Sequence, residues 1–225
     1  MKKEQFSILL ALWVPLIFLL MQLLGEIFLP QDIMVSMHSE NGFHEIAQFI
    51  VMTAAFIIAG YGAVSTFILG RIGIALWFCL AALGSLYVAG EEISWGQHFA
   101  GWESGDFWLQ INDQGETNLH NTSSWLDQKP RLVLEIAVMV GGIIIPLLNK
   151  ANKDLLPRAF SAIYPPLYLL PLAVMAAAIK ISEKILEMSD IVFYTRASEV
   201  IELFIFYYVL LYVLGLVRRH AFSRA

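Results

Sequence analysis

Long apolar stretches without a charged side chain constrain this chain more than any other feature. Residues 6–24, 46–69, 72–90 and 159–179 each lack Asp, Glu, Lys and Arg. Each approaches or exceeds the ~20 apolar residues that a helix needs to cross a bilayer. Residues 132–149 and 197–217 are two further apolar stretches, interrupted only by glutamates near their starts. The sequence therefore predicts an all-α, polytopic membrane protein with about six transmembrane helices in one domain, residues 1–225.

The composition agrees with membrane residence and excludes other classes. The 225 residues are 58% hydrophobic and 15% charged, whereas soluble domains are about 25% charged. The single cysteine, Cys79, excludes a disulfide framework and a cysteine-based zinc site. A net charge of −5 without a basic stripe argues against nucleic-acid binding.

The scarce charges are sorted along the chain. Nine of the 14 basic residues, but only two of the 19 acidic ones, fall in the two terminal segments, near residue 71 and in residues 150–158. With six spans these segments share one face, and the positive-inside rule places that face and both termini in the cytoplasm. The other 17 acidic residues are then expected on the outer side.

The outer side includes the longest interval between spans, residues 91–130. It holds four of the six tryptophans, which are typical of a membrane interface. We expect short interfacial helices or turns here, and an aromatic belt explains the tryptophans. Two strings need a further explanation: residues 91–98, EEISWGQH, and residues 114–121, QGETNLHN. Adjacent carboxylates such as Glu91 and Glu92 need a cation, a shared proton or basic partners.

More polar groups are expected at the same level, at the outer ends of the predicted helices. Two readings stay open for them. Acidic residues at helix N-termini are favoured by the macrodipole, and charges at membrane depth otherwise mark a cavity or bundle interior. The residues concerned are Glu26, His44, Glu45, Gln48, Glu135, Glu199 and Glu202.

Small residues and prolines predict how the helices pack. Ala55, Ala59 and Ala63 lie four apart on one face, which allows close helix approach, and the Gly141–Gly142 pair can do the same. The prolines of residues 165–171 should kink or break the span predicted over 159–179.

The two strings also resemble a known family. Residues 91–97 and 114–121 are similar to the motifs of an uncharacterised family of bacterial polytopic inner-membrane proteins, and residues 40–45, ENGFHE, resemble its acidic-Gly-acidic patch. The resemblance covers residues 40–125, implies a bacterial inner membrane and brings no reaction. The family has arginine where this chain has His98. A looser similarity, through Glu91-Glu92, Asn118 and His120, links the chain to glutamate intramembrane proteases of the CAAX-processing type.

One hypothesis is a membrane enzyme with an outward-facing site. Glu91 or Glu92 would act as general base, while Gln97 and Asn118 would orient the substrate. Glu116 and His120, with His98 and Glu45 as further candidates, would bind a divalent metal such as zinc, manganese or iron. The substrate would be a lipid, a lipid-linked molecule or a membrane peptide.

Two other hypotheses remain. A non-catalytic membrane subunit or assembly factor would dock a membrane-protein partner through the acidic and aromatic outer segment. A cation- or proton-coupled transporter ranks third, because the inner halves of the predicted spans are almost purely apolar.

Overall fold

The computed structural model describes residues 7–39, 42–112, 115–119, 122 and 124–221, and within that part of the chain it contains no β-strand. The prediction of an all-α fold is confirmed. The helices in chain order are α1 (Leu9–Phe28), α2 (Gln31–Met37), α3 (Phe43–Ile68), α4 (Ile72–Glu92), α5 (Gln97–Ala100), α6 (Asp106–Ile111), α7 (Ser124–Met139), α8 (Ile145–Ala151), α9 (Leu170–Met188) and α10 (Ala197–His220).

Five segments of the described chain are long and apolar enough to cross a membrane: α1, α3, α4, Leu132–Ala151 and α10. Their outward faces carry large apolar side chains, such as Ile57, Leu76 and Val133, which are more than 60% exposed. An apolar surface of this kind is suited to lipid, and helices satisfy their own backbone hydrogen bonds there. The chain is therefore a multi-pass, membrane-embedded helical protein.

The segment 159–179 differs from the continuous span predicted for it. Residues Arg158–Ile163 and Leu167–Leu169 form 3₁₀ turns around Pro165 and Pro166, and α9 starts only at Leu170. Proline has no N–H to donate and clashes with the preceding turn, so the predicted break occurs here. The C-terminal half of α9 carries four charged residues, Lys180, Glu183, Lys184 and Glu187, so α9 is not among the five spans.

α9 nevertheless runs the length of the bundle beside α10. The segment before it is tied to the end of α10, where the Tyr212 hydroxyl donates to Ile163 O at 2.7 Å. The segment after it returns to the start of α10. With 19 residues at about 1.5 Å each, α9 is about 28 Å long.

α10 is the central helix. Its apolar window is 61% buried, against 22–33% for the other four spans. It packs against α9 and α7 on one side and against α3 and α4 on the other. Buried residues at these contacts are Val138, Leu172, Ala173, Ala176, Val200, Ile201, Phe204 and Tyr208 in the first group, and Ala59, Ala63, Phe78, Val213 and Leu216 in the second.

Close approach occurs at the small residues that the sequence indicated. Ala55 and Ala59 are fully buried and Ala63 nearly so, all on α3. A Cβ added to Gly142 would lie 2.6 Å from the Ala173 Cβ and 2.9 Å from the Tyr208 ring, so this glycine lets three helical segments meet.

The two ends of the bundle differ in charge. At the end where α10 finishes, here called the basic end, Arg71 donates to His220 O at 2.9 Å and Arg218 and Arg219 are adjacent. At the opposite end, here called the acidic end, α10 begins beside the start of α3 and the end of α4. The terminal charges at residues 2–4 and 224 lie outside the described residues.

Candidate functional site

A strained turn after α4 is the local feature on which the candidate site is built. Ser94, Trp95 and Gly96 follow one another with φ of 46°, 54° and 103°. Left-handed backbone costs an L-residue about 1–2 kcal/mol, so surrounding contacts must hold Ser94 and Trp95 in it. The turn lays the Trp95 indole against α4, where a Cβ added to Gly90 would lie 2.8 Å from the ring.

Glu91 accepts two hydrogen bonds, one of them from this turn. Trp95 Nε1 donates to Glu91 Oε1 at 2.7 Å, and the Leu119 N–H donates to Glu91 Oε2 at 2.7 Å. Glu91 is only 4% exposed. Oε1 therefore closes a bond within residues 91–98, Oε2 ties these residues to the second string, and both bonds stabilise the negative charge.

A second set of contacts joins the two strings through four buried side chains: Ser94, Asn112, Glu116 and Asn118, here called the hub. The Ser94 hydroxyl donates to Glu116 Oε2 at 2.8 Å, and Asn118 Nδ2 donates to Ser94 Oγ at 2.9 Å and also to Glu116 Oε2. Asn112 Nδ2 donates to Asn118 Oδ1 at 2.9 Å, and Asn112 Oδ1 accepts from the Glu116 N–H. Buried polar groups that are satisfied in this way rigidify the loop.

Gln97 also bonds to two separate parts of the outer segment. Its Oε1 accepts from the Thr117 N–H at 2.7 Å, and its Nε2 donates to Ser104 Oγ at 2.9 Å. The Gln97 amide is thus bonded at both its oxygen and its nitrogen.

Glu92 has a different environment from Glu91. Among the described residues it makes no hydrogen bond or ion pair, and the charges of Glu202, Glu199 and Glu45 act on it. These four residues, Glu45, Glu92, Glu199 and Glu202, are here called the acidic cluster, and they come from three helices, α3, α4 and α10. Like charges at membrane depth need a proton, a cation or a donor to offset them.

Gln48 borders the acidic cluster and is fully buried. Its Nε2 donates to Glu199 O at 3.0 Å and to Glu199 Oε2 at 3.3 Å. Its Oε1 has no partner among the described residues. A buried acceptor left without a donor costs about 1–3 kcal/mol, so this oxygen is a point where a ligand or water donor would be favoured.

One turn earlier on α3, His44 also has a buried polar atom without a partner among the described residues. It is fully buried, and because the Met37 carbonyl can only accept, His44 Nδ1 carries the hydrogen in their 3.1 Å bond. Its Nε2 has no partner among the described residues. The ring stacks on His38 with centroids 3.9 Å apart.

Sequence reasoning missed His38 and its partners. His38 is fully buried, donates from Nδ1 to Met34 O at 2.8 Å and accepts from Gln22 at Nε2. The Arg196 guanidinium donates to His38 O. The available signal was the spacing of two histidines six residues apart in a short polar interval.

Glu26, at the end of α1, is fixed by the segment before α10. The Thr195 N–H donates to its Oε1 at 3.1 Å, the Thr195 hydroxyl donates to Oε2 at 2.8 Å, and Gln22 Nε2 donates to Oε1 at 2.9 Å. Glu26 therefore connects α1 with α10.

Of the predicted catalytic residues, the structure brings Glu91, Gln97 and Asn118 together in bonded loop contacts and places Glu92 in the acidic cluster. Of the predicted metal ligands, Glu116 lies in the hub and Glu45 in the acidic cluster. His120 and the side chain of His98 lie outside the described residues, as do Glu40, Asn41, Gln114 and Asn121. Within the described part, no three His, Cys, Asp or Glu side chains converge in a metal-binding arrangement.

Glu135 lies apart from both groups. It is 7% exposed on α7, and its Oε1 is 3.6 Å from Lys180 Nζ on α9. This pair links two helices at the acidic end, which is a structural task.

Comparison with family models, with curated proteins and with solved structures gives no match for this chain. The class defined by fold and site is a multi-pass helical membrane protein with a half-buried acidic cluster at one end.

Proposed function

We propose that this chain is a glutamate-dependent membrane enzyme in which Glu92 acts as the general base. The observation that carries the proposal is the contrast between two neighbours. Both oxygens of Glu91 accept hydrogen bonds, whereas Glu92 has no bonding partner in the described chain and is exposed to the charges of carboxylates on α3 and α10. A group whose charge is left uncompensated is suited to take up and release a proton.

In this mechanism Glu92 accepts a proton from a water or hydroxyl nucleophile and returns it to the leaving group. The Gln48 Oε1, which has no donor in the described part of the chain, accepts a hydrogen bond from the substrate and orients it. Gln97, Asn118 and Glu91 are positioning residues, because their polar atoms bond to the loop that carries the turn after α4. This assignment narrows the catalytic set expected from sequence to Glu92.

The substrate class follows from the surroundings of the cluster. The helices that supply its carboxylates present apolar faces to the membrane, so a reactant that approaches between them is itself soluble in lipid. We propose a lipid, a lipid-linked molecule or a membrane peptide. We also propose a bacterial inner membrane, as the family resemblance implies. From the positive-inside rule we propose that the basic end and both termini are cytoplasmic and that the acidic cluster faces the periplasm.

A divalent metal is a separate proposal. Carboxylate and amide oxygens suit manganese and other hard cations, while zinc and iron favour imidazole as well. Since no triad of ligands converges in the described residues, the mechanism above uses no metal. Elemental analysis of the purified protein tests this point directly.

The second candidate function is a non-catalytic subunit that docks a membrane-protein partner. Its support is the exposed aromatic surface of the outer loops, where Trp95, Phe99, Trp102 and Phe107 are 44–66% exposed. The same residues also suit a membrane interface. A transporter has less support, because residues 49–68, 72–90 and 203–217 of the spans contain no Asp, Glu, His, Lys or Arg.

The test compares Glu92→Gln with two matched variants. Purified protein is incubated in vesicles made from a bacterial lipid extract, and products are followed by mass spectrometry. Glu92→Gln should lower turnover by about 10²-fold or more, as for loss of a general base, with folded yield retained. Glu103→Gln, an exposed glutamate of the same segment, should match the wild type, and Glu91→Gln should lower thermal stability.

Full turnover by Glu92→Gln would refute the assignment. Absence of turnover in the wild type, together with a stoichiometric protein that copurifies with it, would favour the non-catalytic subunit.

A further inference from the structure

A cavity of about 370 Å³ lies at the basic end of the bundle, away from the acidic cluster. It is open to solvent on one side and is lined by the end of α8, the 3₁₀ segments that follow and the last turns of α10. Three cationic side chains line it, Lys150, Lys153 and Arg219, and none of its lining residues is a carboxylate. Its volume falls within the roughly 300–1,000 Å³ of small-molecule sites.

The two lysine charges in the cavity are not compensated by the nearby acid. Asp154 pairs outside it with Arg158, at 2.7 Å. Among the described residues, Lys150 and Lys153 make no ion pair or hydrogen bond. Two ammonium groups therefore face the same opening without a counter-ion from the described chain.

Arg219 is held in place at the cavity wall. Its Nη1 donates to Ala162 O and to Tyr164 O, both at 3.2 Å. These bonds fix the guanidinium relative to the loop that forms the opposite wall. A cation positioned before a ligand arrives loses less side-chain entropy on binding than a flexible one.

We propose that this cavity binds a phosphate group, carried either by an anionic membrane lipid or by a soluble phosphate compound. Arg and Lys are the side chains that recognise phosphate, and Asn149 and Ser161 add neutral polar groups to the lining. Pro165 and Leu167 supply an apolar wall for the carbon part of the ligand. Basic pockets between membrane helices bind lipid headgroups in this way.

The test uses the full chain purified in neutral detergent. Native mass spectrometry measures retention of phosphatidylglycerol against phosphatidylcholine, with inorganic phosphate as competitor. The double variant Lys150→Gln/Lys153→Gln removes two cavity charges. Each basic residue near an anionic lipid strengthens its binding, so the loss of two should lower phosphatidylglycerol retention by about 25-fold. Arg158→Gln removes one charge at the same end but outside the cavity, and it should retain the lipid as the wild type does.

The competitor distinguishes the two sources of phosphate. Retention of phosphatidylglycerol that resists inorganic phosphate supports a lipid ligand, and displacement or direct phosphate binding supports a soluble one. The proposal is overturned if neither probe binds, if the double variant binds as the wild type does, or if Arg158→Gln weakens binding equally. Size-exclusion chromatography of both variants checks that the fold is retained.

Discussion

Asn118 is the residue at which the hub can be tested most sharply. It is fully buried, and its side chain makes at least three hydrogen bonds: to Ser94 Oγ, to the Glu116 carboxylate and from Asn112 Nδ2. Asn118→Ala removes all three. Two neutral bonds at about 1 kcal/mol each and one bond to a charged group at about 1.5–3 kcal/mol give a loss of about 4 kcal/mol.

This loss should appear as local opening of the loops, because the hub joins residues 94–97 to residues 112–119 and contributes little to the helix contacts. Amide hydrogen exchange of residues 116, 117 and 119 is the direct measurement, since these N–H groups donate to Asn112, Gln97 and Glu91. A 4 kcal/mol loss corresponds to exchange about 10³-fold faster.

Thr122→Ala is the control, since the bond its hydroxyl makes within the described residues is a local one, to Leu119 O. It should change exchange by less than about tenfold, in keeping with one neutral bond. If Asn118→Ala leaves the three amides exchanging at the wild-type rate, the hub does not hold the loops and the argument from these bonds is wrong.

The remaining predictions concern two close contacts of glycine. Gly142→Val should destabilise the bundle by about 1–3 kcal/mol, because its Cβ would overlap Ala173. The control in a detergent thermal-unfolding assay is Gly60→Val, because a Cβ at Gly60 meets no atom within 4 Å. Equal losses of stability in the two variants would contradict the prediction. Gly90→Ala should push the Trp95 indole off Glu91, which tryptophan fluorescence would report as a shifted emission maximum; an unchanged spectrum in a folded variant would contradict it.

Much of the fold could be predicted from sequence because a helix that crosses lipid needs a long stretch of apolar residues without charges. The apolar stretch 46–69 became Phe43–Ile68 and the stretch 72–90 became Ile72–Glu92, each displaced by a few residues at most. The stretch 159–179 was the exception. There the chain is apolar without being helical throughout, because Pro165 and Pro166 stop the helix and neighbouring groups satisfy the carbonyls, as Tyr212 does for Ile163.

The site was harder to predict because its geometry depends on backbone conformation that composition does not report. The sequence indicated that residues 91–98 and 114–121 carry the chemistry, and the structure joins them. The sequence did not indicate that Ser94 and Trp95 adopt positive φ. This backbone conformation directs the Trp95 indole to Glu91 and the Ser94 hydroxyl to Glu116. The partners of His38 were also hidden, since Gln22 and Arg196 are far from it in sequence.

The Glu91-Glu92 pair shows why this turn matters for function. Adjacent helical residues point about 100° apart, since a turn has 3.6 residues, so the two carboxylates meet different surroundings. Glu91 meets the turn and the second string, whose N–H donors offset its charge. Of the two carboxylates, Glu92 is therefore the one that still needs a proton or a cation to offset its charge. One of the two donors to Glu91, the Trp95 indole, comes from the strained turn. Loosening that turn would therefore remove this bond, which couples the loop's stability to the proposed acid–base site.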